Sequence, residues 1–212
     1  NAFATIQHGI DASSDGDVVL VSPGNYIENV SNAKNIIIGS MYLTTNDESY
    51  ISSTIIDGDG NTTLNFNMGQ IHGVSIINGY NYNSSGGGII ASGCIISNCI
   101  IRNNNARDGA GVYGNNLTII KCIIKDNSNS GFNSGHMGGG IYFSGGTNII
   151  KGTDILNNTL SSGNGSCKGG GIYIHSGSTY IDSSQIINNS VSTSGAFAYT
   201  GGGGIRINDG QL

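Results

Sequence analysis

Apolar and polar residues alternate in short runs along most of this chain. The alternation is strictest just after five near-identical glycine phrases: Gly86-Gly87-Gly88-Ile89, Gly109-Ala110-Gly111-Val112, Gly138-Gly139-Gly140-Ile141, Gly169-Gly170-Gly171-Ile172 and Gly202-Gly203-Gly204-Ile205. After the glycines, Ile141/Phe143, Ile172/Ile174 and Ile205/Ile207 form one apolar row per strand, while Tyr142/Ser144, Tyr173/His175 and Arg206/Asn208 face the other way. Period-2 alternation predicts half-buried β strands. A second strand in each repeat places Cys99/Ile101, Cys122/Ile124, Thr153/Ile155 and Ser184/Ile186 on its inner row. The phrase recurs after 23, 29, 31 and 33 residues. A glycine turn opening a strand at such a period predicts a solenoid, in which each repeat buries its apolar row only by stacking on the next.

Each repeat then reaches an Asn-type pair: Asn103-Asn104, Asp126-Asn127, Asn157-Asn158 and Asn188-Asn189. Asn tolerates left-handed backbone, and stacked Asn side chains can hydrogen-bond along a ladder, so these positions read as structural. From the last glycine of a phrase to the Asn is 16, 16, 18 and 18 residues, whereas from that Asn to the next phrase's last glycine is 7, 13, 13 and 15. Length variation is therefore confined to one loop per coil, at Tyr80–Ser85, Ser128–Met137, Thr159–Lys168 and Ser190–Thr200. Such an edge is commonly the binding edge.

Earlier strands are expected at Val18–Val21, Ile36–Ile38, Thr54–Ile56 and Val74–Ile77. Before them, Phe3, Ile6 and Ile10 share one helical face. That short helix is expected to cover the open end of the first coil. The organisation is thus one domain over 1–212: a cap at 1–17, irregular coils over 18–85 and glycine repeats over 86–212. A chain that starts at Asn1 and stops within a repeat is expected to be a piece of a longer protein.

Composition narrows the setting. Charged residues make up 10% and the net charge is −5, with eight Lys and Arg. No basic stripe is available for nucleic acid, and no apolar run approaches a membrane span. Asn, Ser, Thr and Gly carry the polarity instead, which suits a secreted or cell-surface protein. Of the four Cys, Cys99 and Cys122 hold equivalent places in consecutive repeats. Stacked strands would place them within reach of a disulfide, but the expected state is two reduced thiols in the core.

The segment from Phe3-Ala4-Thr5-Ile6-Gln7 to Gly16-Asp17-Val18-Val19-Leu20-Val21-Ser22-Pro23-Gly24-Asn25-Tyr26, followed by Ile56-Asp57-Gly58-Asp59-Gly60-Asn61, Gly73-Val74-Ser75-Ile76-Ile77-Asn78-Gly79 and the serial glycine phrases, resembles bacterial secreted proteins with the pectin-lyase-like right-handed parallel β-helix. The resemblance implies an all-β, single-stranded solenoid with a short N-terminal helical cap. It leaves the activity open, since that group includes polysaccharide lyases and hydrolases, surface adhesins and many uncharacterised surface proteins.

A lyase of this kind needs an Asp cluster for Ca²⁺ beside a base. Asp57 and Asp59 are the only such candidates here, and they also suit a polar turn. A glycosidase needs two facing carboxylates. In the repeats Asp182 aligns with Lys151, and Asp154 with Gln185 and Ile123, so no acid pair emerges. Gly135-His136-Met137 departs from the Gly-His-Gly of polygalacturonases. Outward Tyr113, Tyr142 and Tyr173 form a column closed by Arg206, with His175 beside it. Loop residues Tyr80, Tyr82, Phe132, Phe197 and Tyr199 extend the aromatic character. The reading that follows is a non-catalytic adhesion or carbohydrate-binding module without a cofactor, contacting a polysaccharide or a host or cell-surface protein. A polysaccharide lyase or glycoside hydrolase, with Ca²⁺ if a lyase, and a structural spacer are the alternatives.

Overall fold

The computed structural model describes residues 2–131, 135–195 and 198–212. Among them the chain winds right-handed through stacked coils whose strands all pair in parallel. The described strands form sheets of thirteen, seven and eight. The widest sheet takes two strands from each regular coil, for example Val112–Asn115 and Thr118–Ile120. In one coil the two fuse into the single strand Ile172–Asp182, which joins both halves of that sheet. This is a parallel β-helix.

The apolar rows stack in register from coil to coil. In the seven-stranded sheet Ile56, Ile76, Ile101, Ile124 and Ile155 follow one another, each with no exposed surface. In the wide sheet Leu64, Ile89, Val112, Ile141 and Ile172 do the same. A fully buried aliphatic side chain of this kind contributes about 1.5–3 kcal/mol, so the interior columns dominate stability.

The glycine phrase and the Asn pair turn out to be one device. The first glycine of each phrase has positive φ, as at Gly138 (68°) and Gly169 (70°). The third has a different constraint. A Cβ on Gly111 would lie 2.6 Å from the Gly140 carbonyl and 3.0 Å from Asn127 Nδ2. The bare Cα therefore makes room both for the next coil and for the Asn side chain. Asn103, Asp126, Asn157 and Asn188 take left-handed backbone at φ 55–57°, and the residue after each turns inward. Asn104 Nδ2 donates to Asn127 Oδ1 (3.0 Å), Asn127 Nδ2 to Asn158 Oδ1 (3.0 Å), and Asn158 Nδ2 to Asn189 Oδ1 (2.9 Å). Each Oδ1 also accepts the backbone N–H of the Asn one coil earlier.

Helix α1 (Ile6–Ala12) caps the first coil with Ile6 and Ile10 buried. The Glu28 carboxylate accepts the N–H groups of Ile6 (3.0 Å) and Gln7 (3.1 Å). Lys34 Nζ donates to the carbonyls of Ile10, Asp11 and Ser13 at 2.6–3.0 Å. Each end of the helix dipole thus meets a complementary charge. Phe3 departs from expectation: the helix begins only after Thr5, so Phe3 lies outside it and is 53% exposed. Two short helices, Tyr42–Thr45 and Ser49–Ser53, interrupt the early coils without any periodic signal in the sequence.

Two other expectations are revised. The variable segments are not loops throughout: Ser128–Gly131, Thr159–Ser162 and Ser190–Thr193 are strands of the eight-stranded sheet. Cys99 and Cys122 lie just before strands rather than within them, and Cys167 lies in the short strand Cys167–Lys168 rather than a loop. All four Cys are buried free thiols. Cys99 Sγ donates to the Ser97 carbonyl (3.2 Å) and Cys122 Sγ to that of Ile120 (3.3 Å). Burial pushes the Cys122 thiol well above its ordinary value.

Candidate functional site

The outward tyrosines do form a column. Ile90, Tyr113, Tyr142, Tyr173 and Arg206 are successive register partners. The ring of Tyr113 lies 4.9 Å from that of Tyr142, and Tyr142 lies 5.1 Å from Tyr173. These separations have a chemical consequence. Each ring gives its face to the next, so the column offers a ligand phenol edges and hydroxyls rather than flat platforms. Tyr173 is closed in almost entirely, at 2% exposure, although it leaves the strand on the outward side. His175 sits 6.2 Å from Tyr142 and 6.3 Å from Tyr173 and is exposed.

A carboxylate that sequence reasoning missed stands beside these phenols. Asp108 is 8% exposed. Its Oδ2 accepts from Arg107 Nε (3.0 Å) and its Oδ1 from the Met137 N–H (3.1 Å). Burial, followed by the negative fields of Tyr113 and Asp108, pushes the Tyr142 phenol up to about 12. Burial raises Tyr173 as well, with Arg206 pulling the other way and Asp209 adding to the rise. The site therefore holds three phenols, a buried Asp108 paired to an exposed Arg107, and an exposed Arg206. The sequence clue to Asp108 was its place directly before the positive-φ Gly109, which brings it to the turn that the tyrosines overlie.

The other expected residues fall elsewhere. Tyr80 and Tyr82 lie on the strand Tyr80–Ser85 at one end of the eight-stranded sheet, 40% and 47% exposed. Their rings are 6.3 Å apart and nearly parallel, at 16°. Tyr199 is 75% exposed. Phe132 and Phe197 lie outside the described residues. His136 is buried, with Nδ1 3.3 Å from the Arg107 carbonyl.

Asp57 and Asp59 make a turn. Asp57 Oδ1 accepts the Asp59 N–H (3.0 Å), its Oδ2 accepts from Asn78 Nδ2 (2.9 Å), and Asp59 has φ 42°. Among the described residues no three His, Cys, Asp or Glu gather as metal ligands would. Lys151 and Asp182 pair across coils at 3.6 Å, both largely exposed, a contact of little weight.

No family model matches the sequence, and a search of curated proteins finds no match. Solved structures similar in shape include a pectin methylesterase from Yersinia enterocolitica, with a TM-score of 0.49 and 8% identity over 99% of this chain and 94% of that one. A pectin methylesterase from Aspergillus niger aligns with a TM-score of 0.47 and 13% identity over 97% of this chain and 82% of that one. At these identities the likeness concerns the fold and is silent on chemistry.

Proposed function

We propose that this chain is a secreted or cell-surface β-helix module that binds a glycan through the tyrosine column and its rim. The observation that carries this reading is the combination of three stacked phenols with the Asp108–Arg107 pair and Arg206 at one surface. Phenol hydroxyls and guanidinium groups supply directional hydrogen bonds to sugar hydroxyls, and the self-stacked rings hold them in place with little entropy left to lose. The test is retention on a polysaccharide array. Substituting Tyr142→Phe removes one hydroxyl and keeps the stack, so it should weaken retention about fivefold. Unchanged retention on every bound glycan would refute the reading.

Asp108 favours a second reading, a carbohydrate hydrolase. A buried carboxylate beside raised phenols can take a proton from water. Paired-carboxylate hydrolysis asks for a second acid, and Asp209 is the other carboxylate bearing on Tyr173. Release of reducing ends that disappears in Asp108→Asn, with retention intact, would establish this alternative over simple binding.

A further inference from the structure

The exposed tyrosine pair lies on a different surface from the tyrosine column, and the structure extends that surface coil by coil. Tyr80 pairs with Asn105, Asn105 with Ser128, Ser128 with Thr159, and Thr159 with Ser190. The outward column of the eight-stranded sheet thus runs from an aromatic ring through an amide to three hydroxyls. Ser161 and Ser192 are register partners in the neighbouring column. Thr159, Ser161, Ser190 and Ser192 are all exposed. The hydroxyls of Thr159, Ser161 and Ser190 make no hydrogen bond within the described residues. Tyr80 and Tyr82 differ from Tyr113, Tyr142 and Tyr173 in one respect that matters here. Among the described residues they stack on each other alone, and they stay 40% and 47% exposed.

Charge narrows the partner. Arg107 is the one charged residue set among these two columns, and Asp108 neutralises it at 3.0 Å. Geometry narrows it further. Strands in a sheet are spaced at ~4.8 Å, and a fully extended glycan advances by a similar distance per sugar. We infer that the outer face of the eight-stranded sheet is a second binding surface, taking an extended, uncharged, β-linked polysaccharide laid along the solenoid axis with one sugar per coil. The first sugar stacks against Tyr80 and Tyr82. The following sugars meet Asn105, Ser128, Thr159 and Ser190 in turn, each of which can donate and accept a hydrogen bond. A β-1,4-linked glucan, with both bonds of each sugar equatorial, stays straight over five such positions. An α-1,4-linked glucan curls off the face after the first sugars. This surface borders the tyrosine column at Arg107 and uses none of that column's tyrosines.

The experiment is a calorimetric length series on the whole chain, with cello-oligosaccharides from dimer to heptamer and malto-oligosaccharides of the same lengths. Affinity for the cello series should rise up to the pentamer and then level off. Tyr80→Ala should weaken every member about tenfold. Thr159→Val, exposed and close in shape, should weaken the pentamer about fivefold and leave the dimer unchanged. The malto series should bind weakly at all lengths. Affinity independent of length, equal binding of the malto series, or indifference to Tyr80→Ala would each overturn the inference. Binding lost in Tyr142→Phe and kept in Tyr80→Ala would also overturn it, while supporting the tyrosine column as the glycan site. No binding in either series overturns it outright.

Discussion

The Asn ladder invites a direct test at its centre, Asn127. This residue has no exposed surface. Its Oδ1 accepts from Asn104 N and Asn104 Nδ2, and its Nδ2 donates to the Ile101 carbonyl and to Asn158 Oδ1, all at 3.0 Å. Asn127→Ala removes all four bonds at once. It leaves the Asn104 N–H buried without a partner, since the Ile101 carbonyl also lies in a paired strand. An orphaned buried donor costs about 1–3 kcal/mol, so the substitution should destabilise by roughly that much. Asn157→Gly is the control. Asn157 is exposed with φ 55°, a backbone that glycine adopts without strain, so the change should stay within about 1 kcal/mol. Urea unfolding followed by far-ultraviolet circular dichroism gives the total. Amide exchange at Asn104 and Asn127 localises it, since coils in a solenoid lose stability one neighbour at a time. A loss below about 1 kcal/mol for Asn127→Ala would mean that the ladder decorates the fold and does not hold it.

Replacing either clamp of the cap helix, as Glu28→Gln or Lys34→Met, should cost about 1–2 kcal/mol. It should raise amide exchange across Ile6–Ala12 without touching the coils after Gly86. Tyr142 should titrate near 12 instead of its ordinary 10.0. Because its folded value is the higher one, its stabilising effect is complete below pH 10 and is lost as pH rises towards 12; phenolate absorbance of wild type against Tyr142→Phe checks this, and an ordinary titration would contradict the burial described. Gly138→Ala should be worse than Gly139→Ala in thermal unfolding. Both place a Cβ against a backbone carbonyl, of Ile141 and of Gly170 respectively, but only the first also forces a side chain onto φ 68°, which adds about 1–2 kcal/mol.

Much of the fold was legible because its determinants repeat. Ile141, Ile172 and Ile205 announce a column simply by recurring, and Asn104, Asn127 and Asn158 announce a ladder. What the repeat cannot show is anything peculiar to one coil. The helices at Tyr42–Thr45 and Ser49–Ser53 occur once and lack a hydrophobic period. Asp108 has no counterpart in neighbouring phrases, where Met137, Lys168 and Gly201 precede the glycines. The tyrosine column could be aligned from sequence, but whether its rings face solvent or each other depends on side-chain torsions and strand spacing. Phe3 failed for a simpler reason: Thr5 is a strong N-cap, its Oγ1 taking the His8 N–H at 3.2 Å, and it ends the helix before Phe3 is reached.

Among the described residues the strand hydrogen bonds between coils run along the solenoid axis, because each strand pairs with its counterpart one coil away. A pull applied end to end therefore acts on those bonds in peeling geometry, not in shear. The outermost coil would come free first, strand by strand and then at its Asn, before the next coil bears the load. Tethered at one end and loaded at the other, this protein would pay out in coil-sized lengths, behaving as a stepwise shock absorber for whatever it holds.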